Sequence, residues 1–80
     1  MSYMFEVTYK SPPDSRREAA ISERIGGFGG QLTYREEPQG PGGGPICLTF
    51  EFPELQIARS AASILREQGE HVEGPEDYGD

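Results

Sequence analysis

Polar and apolar residues alternate in four segments of the chain, which is the pattern of strands that bury one face. These segments are YMFEVTYK (residues 3–10), QLTYRE (31–36), ICLTFEF (46–52) and EHVE (70–73). The residues predicted to point toward the core are Tyr3, Phe5, Val7, Tyr9, Leu32, Tyr34, Ile46, Leu48, Phe50, Phe52 and Val72. Each strand therefore has one apolar face, enough to hold one layer of helices.

Two further segments have features of helices. The motif SPPD suits a helix start, with Ser11 at the N-cap and Pro12 at the first helical position, and this helix is predicted to run to about Ile25. The second helix is amphipathic, and we predict that it begins at Pro53 and is ended by Gly69. Its apolar half contains three alanines, which allow close approach to a sheet.

The glycine-rich stretch after the first helix raises the question of a phosphate-binding loop. Gly26 and Gly27 stand where a left-handed C-cap residue is expected, and Gly29 and Gly30 turn the chain into the next strand. A dinucleotide motif would need a third glycine in place of Leu32, at the start of a helix rather than at its end. We therefore interpret these glycines as the end of a helix and the turn into the next strand.

The order strand, helix, strand, strand, helix, strand predicts an α+β fold of the ferredoxin-like type, a split βαβ plait. Right-handed crossovers in both halves give an antiparallel sheet of order 4-1-3-2 with both helices on one face. We expect a single domain over residues 1–73. The proline- and glycine-rich residues 38–45 are predicted to form a flexible hairpin loop, and residues 74–80 a disordered acidic tail.

The net charge of −7 is unevenly distributed. Residues 67–80 contain six acidic residues and no Lys or Arg, so the rest of the chain is close to neutral. Cys47 is the single cysteine, which leaves no partner for a disulfide within the chain. Patterned residues follow Met1 without a signal segment, and no apolar run reaches the roughly 18 residues that cross a bilayer. We expect a soluble, cytoplasmic protein with no membrane partner.

The polar positions of the strands define a sheet face that the helices leave uncovered. The candidate interaction residues on this face are Met4, Glu6, Thr8, Thr33, Arg35, Cys47, Thr49, Glu51 and His71. The predicted face is polar with few charges. Such a mixture suits contact with another protein, or with a second copy of the chain in a homodimer.

Cys47 and His71 are the only thiol and the only imidazole of the chain. A nucleophilic pair must approach within about 3.2 Å, whereas the predicted strand order separates these two residues by roughly two strand spacings of 4.8 Å. No ligand spacing signals a metal site, and no motif signals a cofactor. We therefore predict no catalytic, metal-binding or cofactor-binding residues and no enzyme activity.

TFEFPELQIARSAASI, residues 49–64, resembles the passage from third strand to second helix in RNA recognition motifs, and FGGQLTY, residues 28–34, is similar to that family's turn into the second strand. The resemblance implies RNA bases stacked on outward aromatic residues of the first and third strands. The matching outward positions in this chain are Met4, Glu6, Cys47, Thr49 and Glu51. Because none is aromatic and the chain is acidic, nucleic-acid binding is disfavoured.

The leading hypothesis is a small non-catalytic protein-interaction or self-associating module that uses the open sheet face. A small-molecule-sensing regulatory domain on the same fold is the first alternative. Against it, the strand–helix turn KSPPD has no glycine that would let a ligand approach the backbone. A nucleic-acid binder similar to the RNA recognition motif is the second alternative.

Overall fold

A computed structural model describes residues 2–38 and 43–77 of the chain. The elements are β1 (Tyr3–Lys10), α1 (Ser15–Gly27), β2 (Gln31–Glu36), β3 (Pro45–Phe52), α2 (Leu55–Glu67) and β4 (His71–Asp77). The strands form one antiparallel sheet of order β2-β3-β1-β4. The predicted α+β class is confirmed, and so is the predicted order 4-1-3-2, which is the same order read from the other edge.

Both helices pack against the same apolar side of the sheet. The buried core consists of Phe5, Val7, Tyr9, Ile21, Ile25, Ile46, Leu48, Phe50, Phe52, Ala58, Ala61, Ala62, Leu65 and Val72. At its centre the ring of Phe5 lies 5.1 Å from that of Phe52 and 6.0 Å from that of Phe50, measured between centroids. Apart from the Tyr9 hydroxyl, the buried side chains of the described residues are apolar. The core therefore stabilises the fold by removing apolar surface from water.

The start of α1 differs from the prediction. Asp14 is the N-cap instead of Ser11, and its carboxylate accepts a hydrogen bond from the backbone N–H of Arg17 at 3.0 Å. The reason lies in the two prolines, because a residue that precedes proline is disfavoured in the helical region. Pro12, the predicted first helical residue, itself precedes Pro13, so the helix begins only after both prolines.

α1 also ends later than predicted. Gly26 and Gly27 belong to the helix, and the left-handed residue is Gly29, with φ of 83°. The N–H of Gly30 then donates to the carbonyl of Ile25 at 3.1 Å, which closes the end of the helix. The extra residues bring Phe28 into contact with the core on the same side as Ile25. The glycines end a helix, as predicted, but the capping position was wrong.

The last strand extends beyond its predicted end. β4 continues through Gly74 and Pro75 to Asp77, four residues into the segment that was assigned to an acidic tail. The register against β1 shifts between Met4 and Glu6, so that Gly74 and Pro75 together lie opposite a single residue of β1. An edge strand tolerates proline at such a bulge. Residues 78–80 of the predicted tail, and residues 39–42 of the predicted flexible loop, lie outside the described residues.

Candidate functional site: the open sheet face

β1 and β3 present the predicted polar face on the side away from the helices. Their register pairs Met4 with Glu51, Glu6 with Thr49 and Thr8 with Cys47, and all six side chains are partly exposed. Directly opposite residues of an antiparallel pair project to the same side of a sheet. These six predicted face residues therefore lie together on one surface, which we call the open face.

β2 joins the open face in a register that the alternation does not predict. Leu32 pairs with Phe50, whereas Tyr34, two residues later, pairs with Thr49, the residue adjacent to Phe50 in the antiparallel β3. Thr33 is thus the extra residue of a β-bulge, and the bulge reverses the sides of all residues that follow it. The hydroxyl of Thr33 donates to the carbonyl of Thr49 at 3.4 Å.

Arg35 consequently lies on the helix side of the sheet, not on the open face where it was predicted. Its register partner is the buried Leu48, and its guanidinium binds the carboxylate of Glu18 on α1. A second ion pair, with Glu37, joins Arg35 Nη1 to Oε2 at 3.2 Å. The positive charge expected on the open face is therefore held on the other side of the molecule.

Tyr34 and Glu36 take the place of Arg35 on the open face, and sequence reasoning missed both. Tyr34 was predicted to point inward, yet its side chain is 58% exposed, and Glu36 is paired with Cys47. Leu32 remains on the helix side but is 41% exposed, because β2 is an edge strand. No local pattern announces the bulge.

Acidic side chains dominate the open face. Register places Glu6, Glu36, Glu51 and Glu73 on it, and Glu6 lies directly opposite Glu73 across β1 and β4. All six arginines belong to the helices or, as with Arg35, to the helix side, which leaves Lys10 at the end of β1 as the only Lys or Arg on this face. The bulge therefore makes the face more acidic than predicted, because it removes Arg35 from the face and adds Glu36.

The thiol of Cys47 forms a hydrogen bond with one of these acidic side chains. Its Sγ donates to Oε2 of Glu6 at 2.8 Å. Partial burial, followed by this hydrogen bond and the negative charges of Glu6, Glu36 and Glu73, raises the pKa of Cys47 to about 12. A thiolate is the reactive form of cysteine, so this thiol is a weak nucleophile at neutral pH.

His71 does not meet Cys47. Both residues pair with Thr8, one from each side of β1, so they are two strand spacings apart, about 10 Å. The predicted separation is thus confirmed. His71 lies instead 3.5 Å from Glu73, measured from Nε2 to Oε1. Among residues 2–38 and 43–77 no group of three or more His, Cys, Asp or Glu side chains is arranged to hold a metal ion.

The turn between β1 and α1, where a sensed small molecule was considered, holds a shallow depression of about 500 Å³. Three of its polar side chains, those of Tyr9, Asp14 and Arg17, are engaged in contacts within the fold. Arg17 stacks over the ring of Tyr9 at 5.0 Å and pairs with Glu70 at 2.7 Å, while Asp14 caps the helix. These contacts stabilise the fold and do not converge on the depression, so it provides no support for a ligand site.

The chain matches no protein-family model, and no curated protein resembles it significantly. Within the part of the chain that the structure describes, neither helix has the length and apolar character that a membrane span requires.

Proposed function

We propose that the protein is a small non-catalytic protein-interaction module that binds its partner through the open face. One observation supports this most directly. The helix side of the sheet is filled by a closed apolar core, whereas the open face is uncovered in the described residues and presents an exposed aromatic ring among polar side chains. Aromatic residues with a polar surround are typical of protein-binding surfaces.

The chemistry of the face also favours binding over catalysis. The raised pKa of its thiol leaves almost no reactive thiolate at neutral pH, and its imidazole lies two strands away from that thiol. The buried side chains of the described residues include no carboxylate, amine or imidazole that would serve a reaction in a closed site. We further propose that the element order and the antiparallel sheet represent a ferredoxin-like plait. The cytoplasmic location predicted from the sequence remains a prediction.

Thr49→Arg tests this proposal at the centre of the face. Thr49 lies on the inner strand β3, flanked by Glu6 on β1 and Tyr34 on β2. A bulky charge there would be solvated in the free protein but would obstruct a partner and be desolvated by it. We expect unchanged circular dichroism and thermal unfolding, together with a Kd for an identified partner that is weaker by about tenfold or more.

Ser63→Arg is the matched control, since Ser63 is exposed on α2. Partners are first identified by mass spectrometry after capture from an extract of the encoding organism, and their affinity is then measured with purified proteins. A partner that binds Thr49→Arg as tightly as the natural protein, but is lost by Ser63→Arg, would show that the helix side binds and would refute the proposal.

A further inference from the structure

The open face has a charge distribution that selects among the partners of such a module. Among the side chains that the structure describes, four carboxylates and one lysine lie on it, and two of the carboxylates, Glu6 and Glu73, are direct cross-strand neighbours. Like charges in that position destabilise a sheet. The arrangement therefore has a cost in the free protein that a bound cation relieves.

An exposed aromatic ring adds to this charge pattern. Tyr34 is the large exposed side chain of the face, and from β2 it pairs with Thr49 on β3, whose other neighbour is Glu6 on β1. Glu36 lies beside it, with the Tyr34 hydroxyl 3.4 Å from Oε2 of Glu36. A guanidinium or ammonium group can bind a tyrosine next to carboxylates in two ways. It stacks on the π surface of the ring, and it pairs with the charged carboxylate oxygens.

We propose that the open face binds a lysine- and arginine-rich segment of a partner protein. This inference rests on the proposed function and specifies its partner. Charge complementarity is the argument: a cationic segment neutralises Glu6, Glu36, Glu51 and Glu73, and its side chains stack on Tyr34. The same charges repel the phosphates of nucleic acids, which sets this surface apart from an RNA-binding sheet.

A second copy of the chain fits the open face less well. Two open faces brought together would place the described carboxylates Glu6, Glu36, Glu51 and Glu73 of both copies against each other, and like-charge contacts of this kind oppose association. Three of the six arginines on the helix side are also engaged within their own chain. Arg35 pairs with Glu18, Arg17 with Glu70, and Arg66 donates to the carbonyls of Val72 and Gly74.

The test uses the full chain, labelled with ¹⁵N, and two synthetic probes: a ten-residue peptide of alternating Lys and Arg, and deca-glutamate. We expect the basic peptide to shift the amide resonances of Glu6, Tyr34 and Thr49, and to bind more weakly as salt rises from about 50 to 300 mM. Deca-glutamate should leave the spectrum unchanged. Shifts confined to α1, α2 or residues 78–80 would overturn the inference.

Two triple variants separate the face from net charge alone. Glu36→Gln, Glu51→Gln and Glu73→Gln together remove three carboxylates from the open face. Glu23→Gln, Glu54→Gln and Glu67→Gln, at exposed positions on or next to the helices, change the net charge equally. We expect the face triple to weaken peptide binding on the order of tenfold, and the control triple to change it less than about twofold.

Equal weakening by both triples would overturn the inference, because overall charge would then explain the binding. So would a dimer, detected by sedimentation, that the face triple strengthens or weakens, because a second copy would then occupy the face. If the peptide does not bind there but Thr49→Arg still releases an identified partner, the proposed function stands and only the basic partner is rejected. If neither experiment shows binding to the open face, both proposals fail.

Discussion

The guanidinium of Arg35 and the carboxylate of Glu18 are joined by two hydrogen bonds, Nε to Oε1 at 2.6 Å and Nη2 to Oε2 at 3.0 Å. This bidentate pair connects the edge strand β2 to α1, and the hydroxyl of Tyr9 donates to the same carboxylate. The hydrogen bonds from Arg35 and Tyr9, with Arg35 the stronger influence, hold the pKa of Glu18 below its ordinary value of 4.5. The geometry exists only because the bulge at Thr33 turns Arg35 toward the helices.

Acid should weaken the fold partly through Glu18. Since the folded-state pKa is lowered, the pair contributes stability above about pH 4.5, and that contribution disappears as the pH falls through the lowered value. We expect Glu18→Gln to melt about 1–5 °C below the natural protein near pH 6, and to lose less on acidification to about pH 3. Glu23→Gln, exposed on the same helix, should retain the full acid dependence. Parallel melting curves for Glu18→Gln and the natural protein would contradict this.

The bulge places the Tyr34 ring away from the core, and substitution of Tyr34 tests this placement. Because the ring is 58% exposed, Tyr34→Thr should change the free energy of unfolding by less than about 1 kcal/mol, measured by urea denaturation followed by circular dichroism. Phe50→Ala, at a fully buried ring on the neighbouring strand, should cost about 3–5 kcal/mol. If the two changes cost the same, the Tyr34 ring faces the core and the strands pair without a bulge.

The same substitution should have opposite effects at two glycines. A Cβ on Gly30 would lie 2.5 Å from Cε2 of Phe52 and 2.7 Å from Cγ2 of Ile25, both in the core, so Gly30→Ala should cost about 1–3 kcal/mol. Gly26, near the end of α1, has open space around the same position, and Gly26→Ala should stabilise the protein by up to about 1 kcal/mol. Thermal unfolding of both variants distinguishes the outcomes, and stabilisation by Gly30→Ala would contradict the packing described.

Cys47 should react slowly. With its pKa raised to about 12, alkylation by iodoacetamide near pH 8 should be on the order of 10²- to 10³-fold slower than after unfolding in urea. Glu6→Gln removes the accepting carboxylate and one negative charge, so it should accelerate the reaction in the folded protein. Mass spectrometry of the modified fraction over time provides the measurement. A folded-state rate equal to that of the unfolded chain would show that neither burial nor Glu6 raises the pKa of this thiol.

Local patterns in the sequence determined most of the architecture. Strict alternation in residues 3–10 and 46–52 specified both faces of β1 and β3, because side chains of a strand point alternately to its two sides. The apolar arc of α2 specified its buried residues Ala58, Ala61, Ala62 and Leu65 for a similar reason, the period of 3.6 residues per turn. These elements pack at the centre of the fold, where burial alone decides which side faces inward.

The tertiary structure decided which side chains of the edge strand β2 face the helices and which lie on the open face. β2 is covered on one side only by α1, and its six residues are all exposed, so hydrophobic burial does not impose its alternation. One extra residue at Thr33 is then enough to exchange Tyr34 and Arg35 between the two sides, and the ion pair with Glu18 stabilises the exchanged arrangement. That exchange also removes Arg35 from the open face and brings Glu36 onto it, which makes the face more acidic. A register shift depends on contacts between distant segments, so no reading of residues 31–36 alone reveals it.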